Sequence, residues 1–300
     1  MIKRDNFNRL VELAMQSTGY THMRPVITKE LLHYDILFCL EDNGLLDKLT
    51  FQGGTSLRLC YGGSRFSEDL DFVGGHDFST SQLINIKKCL EKYIGTRYGL
   101  QIEIKEPREL AEATQHKDIK VDKWQVKIIT EPERRDLPKQ KIKLEVTNVP
   151  AYSRTPQTIK KNYDFLPDGY SDVIIMTESI DEIMADKLIA LVSCQRYVRY
   201  RDIWDLRWLK QQGAAIVAKL ILSKIDDYNE NNYLQKLNSL LNRLDEIIRG
   251  RDLKSELSRF VPMDVQNRTL KKDKFIELLL NENKDLLKQV KRIVESNLSL

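Results

Sequence analysis

The sequence has no run of about 18 uncharged apolar residues, the length a membrane-crossing helix needs, so no spanning segment is expected. Its N-terminal MIKRDNFNRLVEL meets acid and amide too early to form the apolar stretch of a signal peptide, which predicts a cytoplasmic location with no membrane partner. It also lacks a CxxC pair. The four cysteines, Cys39, Cys60, Cys89 and Cys194, lie far apart and three adjoin leucine, which predicts reduced core thiols rather than a zinc or disulfide framework. His22, His33, His76 and His116 show no ligand spacing, so neither a histidine metal site nor Cys-His nucleophilic chemistry is supported. No Gly-Lys-Ser/Thr occurs, which rules out a P-loop. Neither charge sign dominates: 48 basic and 44 acidic side chains give a net +4, which permits nucleic-acid contact without requiring it. Internal repeats and low-complexity tracts are absent.

What is present is a globular chain of 300 residues, 41% apolar, enough for one large or two modest domains. Residues 26–41 carry a broad apolar stripe at helical spacing after Pro25, and Asp42-Asn43-Gly44 supplies a stop. A short strand at 49–52, a Gly53-Gly54 turn, a helix over 55–61 and a strand at 69–73 follow. A helix at 79–98 precedes strands at 100–105, 121–129 and 141–146, and another at 172–176. The segment from Pro150 to Gly169 reads as loop. From Ser179 onward the texture is helical, ending in an amphipathic stretch over 273–298. The expected class is α+β with a mixed sheet and a mainly helical C-terminal part, divided as 1–177 and 178–300.

The densest chemistry lies in FQGGTSLRLCYGGSRFSEDLDFVGG, residues 51–75. Alternation along a strand puts Asp69 and Asp71 on one face and Leu70 and Phe72 on the other. Two like charges side by side call for a shared proton or a bridging cation, and oxygen-only ligands suit Mg²⁺ or Mn²⁺ held with substrate phosphates. Taken alone, the pair also fits two solvated strand acids. Gly53-Gly54 lets backbone approach a ligand, and the Thr55 and Ser56 N–H and hydroxyl groups make an anion site. A phosphate cradle followed by Asp-x-Asp is what a nucleoside triphosphate and its metal require, with Arg65 and Ser67 available to touch phosphate.

The combination of Gly53-Gly54-Thr55-Ser56-Leu57 with Arg65-Phe66-Ser67-Glu68-Asp69-Leu70-Asp71-Phe72 resembles the AbiEii-type toxins. These are members of the nucleotidyltransferase superfamily, with a core like that of DNA polymerase β. The resemblance implies that fold, with nucleotide and metal bound by Gly54, Thr55, Asp69 and Asp71. A third carboxylate is usual in such centres, and Glu145 in KIKLEV shares a strand face with Lys141 and Lys143. It fits a metal ligand or general base, and equally an ordinary solvated strand face. Lys187 lies in an apolar helical stripe, where it either snorkels to water or meets triphosphate oxygens. The family carries a similar helical lysine preceded by an acid, matched here by Glu182 and Lys187. In RYRDIWDL, Asp202 and Asp205 are helical neighbours that Arg199 and Arg201 can pair with. The family's similar Arg-Asp-x-x-Asp-Leu pattern implies a role in activity for Asp202, with Asp205 orienting Lys187 or an arginine.

The resemblance covers roughly the first 210 residues. It implies metal-dependent transfer of an NMP from an NTP to an acceptor hydroxyl, at the 3′ end of a tRNA or on another RNA or a protein. It further implies a toxin of a toxin-antitoxin or phage-defence system, with a cognate antitoxin partner. Two rivals share the same residues: an NTP-dependent phosphotransferase, and a non-catalytic nucleotide- or RNA-binding module.

Overall fold

The computed structural model describes residues 6–16, 19–107, 119–130 and 139–298, so His116 lies outside the described residues. The chain divides into two compact units, Met1–Glu178 and Ser179–Leu300.

The first unit is built on a mixed sheet whose strands, among the described residues, are β1 (Thr50–Gln52), β2 (Leu70–Val73), β3 (Gln101–Lys105), β4 (Val121–Ile129), β5 (Gln140–Thr147), β6 (Thr155–Thr158) and β7 (Ile174–Thr177). Their order is β3-β4-β5-β2-β1-β7-β6, with β2–β5 and β1–β7 parallel and the other pairs antiparallel. Strict alternation fixes the register. Trp124, Val126 and Ile128 on β4, and Ile142, Leu144 and Val146 on β5, are buried, whereas Gln125, Lys127, Lys143 and Glu145 between them are half-buried. The helices are α1 (Phe7–Met15), α2 (Arg24–Asp42), α3 (Gly53–Ser56), continued by a π-type turn at Leu57–Tyr61, and α4 (Ile86–Tyr98).

Helix α2 starts at a Pro-containing first turn and is buried on nearly every side, so its polar residues need partners. Glu30 accepts from Arg58 Nε at 2.8 Å and Nη2 at 3.1 Å, fastening the π-type turn. Asp35 accepts from Tyr98 at 2.9 Å, Tyr170 at 2.6 Å and Arg97 at 2.9 Å, tying α2 to α4 and to the chain before β7. His33 Nε2 bonds the Glu68 carbonyl at 3.0 Å.

The α+β class and mixed sheet expected from the sequence are those the chain adopts. Four local features differ, the first being that the helix expected over 79–98 begins at Ile86, after a separate 3-10 turn at Thr80–Leu83. The 150–169 segment contains strand β6, a short outer strand whose Pro156 broke the sequence pattern. The helix after β1 begins at Gly53 itself, because the glycine takes the left-handed turn that starts it. Cys39 and Cys89 are joined as a disulfide between α2 and α4, correcting the expectation of four separate thiols. Helix packing brings these two together, and linear spacing carries no sign of it. Cys60 is free and buried, and burial pushes its thiol up to about 12.

The second unit comprises α5 (Ile180–Ser193), α6 (Tyr200–Gln211), α7 (Ala218–Asp227), α8 (Tyr233–Arg249), α9 (Arg251–Ser258), α10 (Met263–Arg268) and α11 (Asp273–Leu298). Ser179 caps α5 by accepting from the Glu182 N–H, and Asp181 and Glu182 in its first turn complement the helix dipole. Buried Asn283 donates to the Ile203 carbonyl at 3.1 Å, pinning α11 to α6. Among the described residues, no helix is long and apolar enough to cross a membrane.

Candidate active site

The chain leaves β1 at Gln52 and turns at Gly53 with φ +77°, a left-handed value that L side chains rarely adopt. A Cβ there would stand 2.7 Å from Asp71 Oδ2. One at Gly54 would stand 2.6 Å from Arg65 Nη2 and 2.9 Å from Ser67 Oγ. Both glycines are therefore dictated by contact with the downstream Arg-Phe-Ser-Glu-Asp-Leu-Asp segment. Arg65 and Ser67 are buried in that contact, with Arg65 Nη1 donating to the Phe66 carbonyl at 2.9 Å. The Thr55 hydroxyl donates to the Asp69 carbonyl, and Ser56 is fully buried. Thr55 thus braces the acidic strand from within the turn, a task its sequence position did not announce.

On the sheet, Asp71 stands directly opposite Gln52 on β1 and opposite Glu145 on β5. Opposed like charges destabilise a sheet unless they are offset. Two lysines offset them here. Lys123, opposite Glu145 on β4, reaches its Oε1 at 2.8 Å. Lys143 holds Asp69 twice, with its backbone N–H donating to Oδ1 at 3.1 Å and its ammonium 3.5 Å from Oδ2. The Lys143 ammonium is held charged beyond its ordinary range by Asp69 first, with Glu145 and Asp71 adding, against the opposing effect of burial. Asp69, Asp71 and Glu145 are half-buried and offer only carboxylate oxygens, the donor set that suits a hard divalent cation. Beneath them His33 is driven down to about 4 by burial, so it sits neutral under the Glu68 carbonyl.

In the second unit, buried Lys187 on α5 meets two carboxylates of α6, Asp202 Oδ1 at 2.9 Å and Asp205 Oδ2 at 2.6 Å. Arg199 also pairs with Asp202. Burial alone would raise the Asp202 carboxyl, but Lys187 and Arg199 outweigh it and hold it well below the usual carboxylate range. The apolar stripe around Lys187 therefore conceals a cation matched by two anions, and the lysine does not snorkel to water. A second buried lysine was invisible from the sequence. Lys224 on α7 is fully enclosed, 2.8 Å from Glu182 and 3.0 Å from Asp186, which lie one turn apart on α5.

A family model for the nucleotidyl transferase AbiEii toxin of type IV toxin-antitoxin systems matches residues 35–279. The chain belongs to this family. As an AbiEii-family member it is a nucleotidyltransferase, and the family implies an NTP substrate and an antitoxin partner. Its fold is similar to that of MenT4, a nucleotidyltransferase toxin from Mycobacterium tuberculosis H37Rv, at a TM-score of 0.56 and 14% identity, covering 97% of this chain and 98% of that one. A Helicobacter pylori structure carrying a provisional nucleotidyltransferase name aligns at a TM-score of 0.50 and 20% identity, over 90% of this chain and 96% of that one. JHP933 from Helicobacter pylori aligns at 0.49 and 20% identity, over 94% and 96%. No curated protein sequence matches.

Residues that reading the sequence passed over include Lys123, Lys224 and, as a side chain serving the motif, His33. Strand alternation already placed Lys123 beside Glu145 once the two strands were paired. Nothing local marked Lys224, because its partners lie on another helix.

Proposed function

We propose that the protein transfers a nucleoside monophosphate from an NTP to a hydroxyl at the 3′ end of a tRNA, as the toxin of a toxin-antitoxin or phage-defence pair. The observation that carries this reading is the cross-strand apposition of Asp71 and Glu145, with Gly53 packed against Asp71 and Asp69 held by Lys143. Asp69, Asp71 and Glu145 would hold Mg²⁺ or Mn²⁺, whose chemistry when bound is to neutralise the triphosphate and polarise its α-phosphorus. The Gly53–Ser56 turn would receive phosphate through its backbone N–H groups, while its two glycines leave room for Asp71, Arg65 and Ser67. The acceptor oxygen attacks the α-phosphorus, the bond from that phosphorus to its bridging oxygen breaks, and pyrophosphate leaves. Glu145 takes the hydroxyl proton. Within the helical unit, Asp202 and Asp205 orient the Lys187 ammonium.

The test is incubation of the protein with Mg²⁺, total RNA and each NTP labelled in turn at the α- and γ-phosphate. Label from the α-position on tRNA supports the reading. Label from the γ-position on any acceptor assigns the site to phosphoryl transfer and overturns it.

A further inference from the structure

The sheet face that carries Asp71 and Glu145 does not end with them. Directly opposed residues share a face, so Gln52, Asp71, Glu145 and Lys123 form one row across β1, β2, β5 and β4. Two residues further along, Lys143 opposes Gln125, which opposes Lys105 on β3. The next row is Lys141, Lys127 and Glu103, and Lys139 continues the alternation just before β5. All these side chains are exposed or half-buried, whereas the opposite face of β2, β4 and β5 is packed core and that of β3 is half-buried.

Lys127 and Lys141 stand directly across from each other, an arrangement that costs stability unless an anion joins it. Glu103 is the acid in these outer rows among the described residues. It pairs with Lys139 and comes within 4.0 Å of Lys127. Lys105 and Lys141 have no ion pair among the described residues. Away from the acids, four lysines therefore face one glutamate. Along β5 they recur every second residue, about 6.8 Å apart, as flexible point charges suited to successive phosphates.

The order of parts across the sheet gives this surface a direction. The glycine turn follows β1, Asp71 is on β2, Glu145 on β5, and the lysines lie beyond it on β5, β4 and β3. A triphosphate seated by the turn leaves the lysine side for the acceptor. We infer that the open face of β3, β4 and β5 is a track for the phosphate backbone of an RNA acceptor, bringing its terminal hydroxyl to Glu145 through contacts with Lys105, Lys127, Lys139 and Lys141. This inference rests on the nucleotidyl-transfer reading.

The test compares the wild type with the double variant Lys127→Gln/Lys141→Gln in binding a fluorescent single-stranded RNA across a salt series. Loss of two phosphate contacts makes the slope of log K against log salt shallower by about 1.4, and weakens binding about 25-fold at 0.1 M salt with the gap closing toward 1 M. The rise in melting temperature with each Mg-NTP stays at the wild-type value in the variant. An unchanged slope and affinity overturns the track. So does competition by poly-glutamate as strong as that by RNA of equal charge, which assigns the face to an acidic protein. A wild type that binds RNA through these lysines yet transfers no α-label sinks the transfer reading and leaves the surface standing. Label transfer with RNA affinity unaltered in the variant sinks the surface alone.

Discussion

Gly53 and Asp71 are in such close contact that a single methyl group on the glycine would meet the carboxylate at 2.7 Å. The turn and the acidic strand are thus one interlocking part. Gly53→Ala adds a left-handed backbone strain of about 1–2 kcal/mol and also drives Asp71 from its position. Gly213 offers the control, since its φ is +86° and nothing lies within 4 Å of a Cβ built there. Both alanine variants are expected to melt a few degrees lower, and only Gly53→Ala to lose nucleotidyl transfer, by at least tenfold. Equal activity in the two variants would show that the Asp71 contact does not matter.

Asp71→Asn removes one of two opposed carboxylates. Without divalent metal this variant melts close to the wild-type temperature, because Lys123 and Lys143 already offset the cross-strand repulsion that the substitution removes. Added Mg²⁺ raises the wild-type melting temperature and leaves the variant where it was. Transfer falls about 10³-fold, the equivalent of several kcal/mol of transition-state stabilisation. A variant that responds to Mg²⁺ as the wild type does would remove Asp71 from the ligand set.

His33 gives the protein a pH dependence of definite sign. Its folded value, about 4, lies below the ordinary 6.5, so the unfolded chain binds a proton that the folded chain refuses. Stability therefore declines as pH falls through 6.5 and goes on declining until about 4, by up to ~3 kcal/mol. Asp202 contributes nothing in this window, because its depressed carboxyl is ionised in both states above the ordinary carboxylate value of 3.8. Urea titrations at pH 7.5 and pH 5 measure the difference, and His33→Gln is expected to flatten it. An equally steep decline in that variant would assign the effect to another group.

Lys224 is enclosed with Glu182 and Asp186. Lys224→Met strands two buried carboxylates and is expected to cost about 3–5 kcal/mol. The triple variant Lys224→Met/Glu182→Gln/Asp186→Asn is expected to recover part of that loss, since neither partner of the lysine then carries charge. Thermal melts of both decide it, and a single variant as stable as the wild type would mean that the triad is solvated.

The elements most legible in the sequence were those with a strict period. Strand β4 and helix α11 have the bounds, 121–129 and 273–298, that alternation and the amphipathic stripe predicted. Strand β6 escaped because it is four residues long and holds Pro156 on an outer strand, where pairing and not pattern makes the strand. Asp69 and Asp71 were nameable as an Asp-x-Asp pair on one strand face after a glycine turn, and Glu145 as the third carboxylate that the family resemblance calls for. Their cations were not, since whether Lys143 serves Asp69 or solvent depends on which strand lies beside β2. The Cys39–Cys89 bridge and the Lys224 triad were hidden for the same reason: each is a product of helix packing.

The hold of Lys143 on Asp69 spans 74 positions of sequence. A chain emerging from the ribosome therefore displays its glycine turn and both strand aspartates long before β5 exists to hold them. Until that parallel pairing closes, a slow and non-local event, the segment is only a loop with two acids. The order of this segment therefore waits on the pairing of β2 with β5, and on everything the chain must make in between.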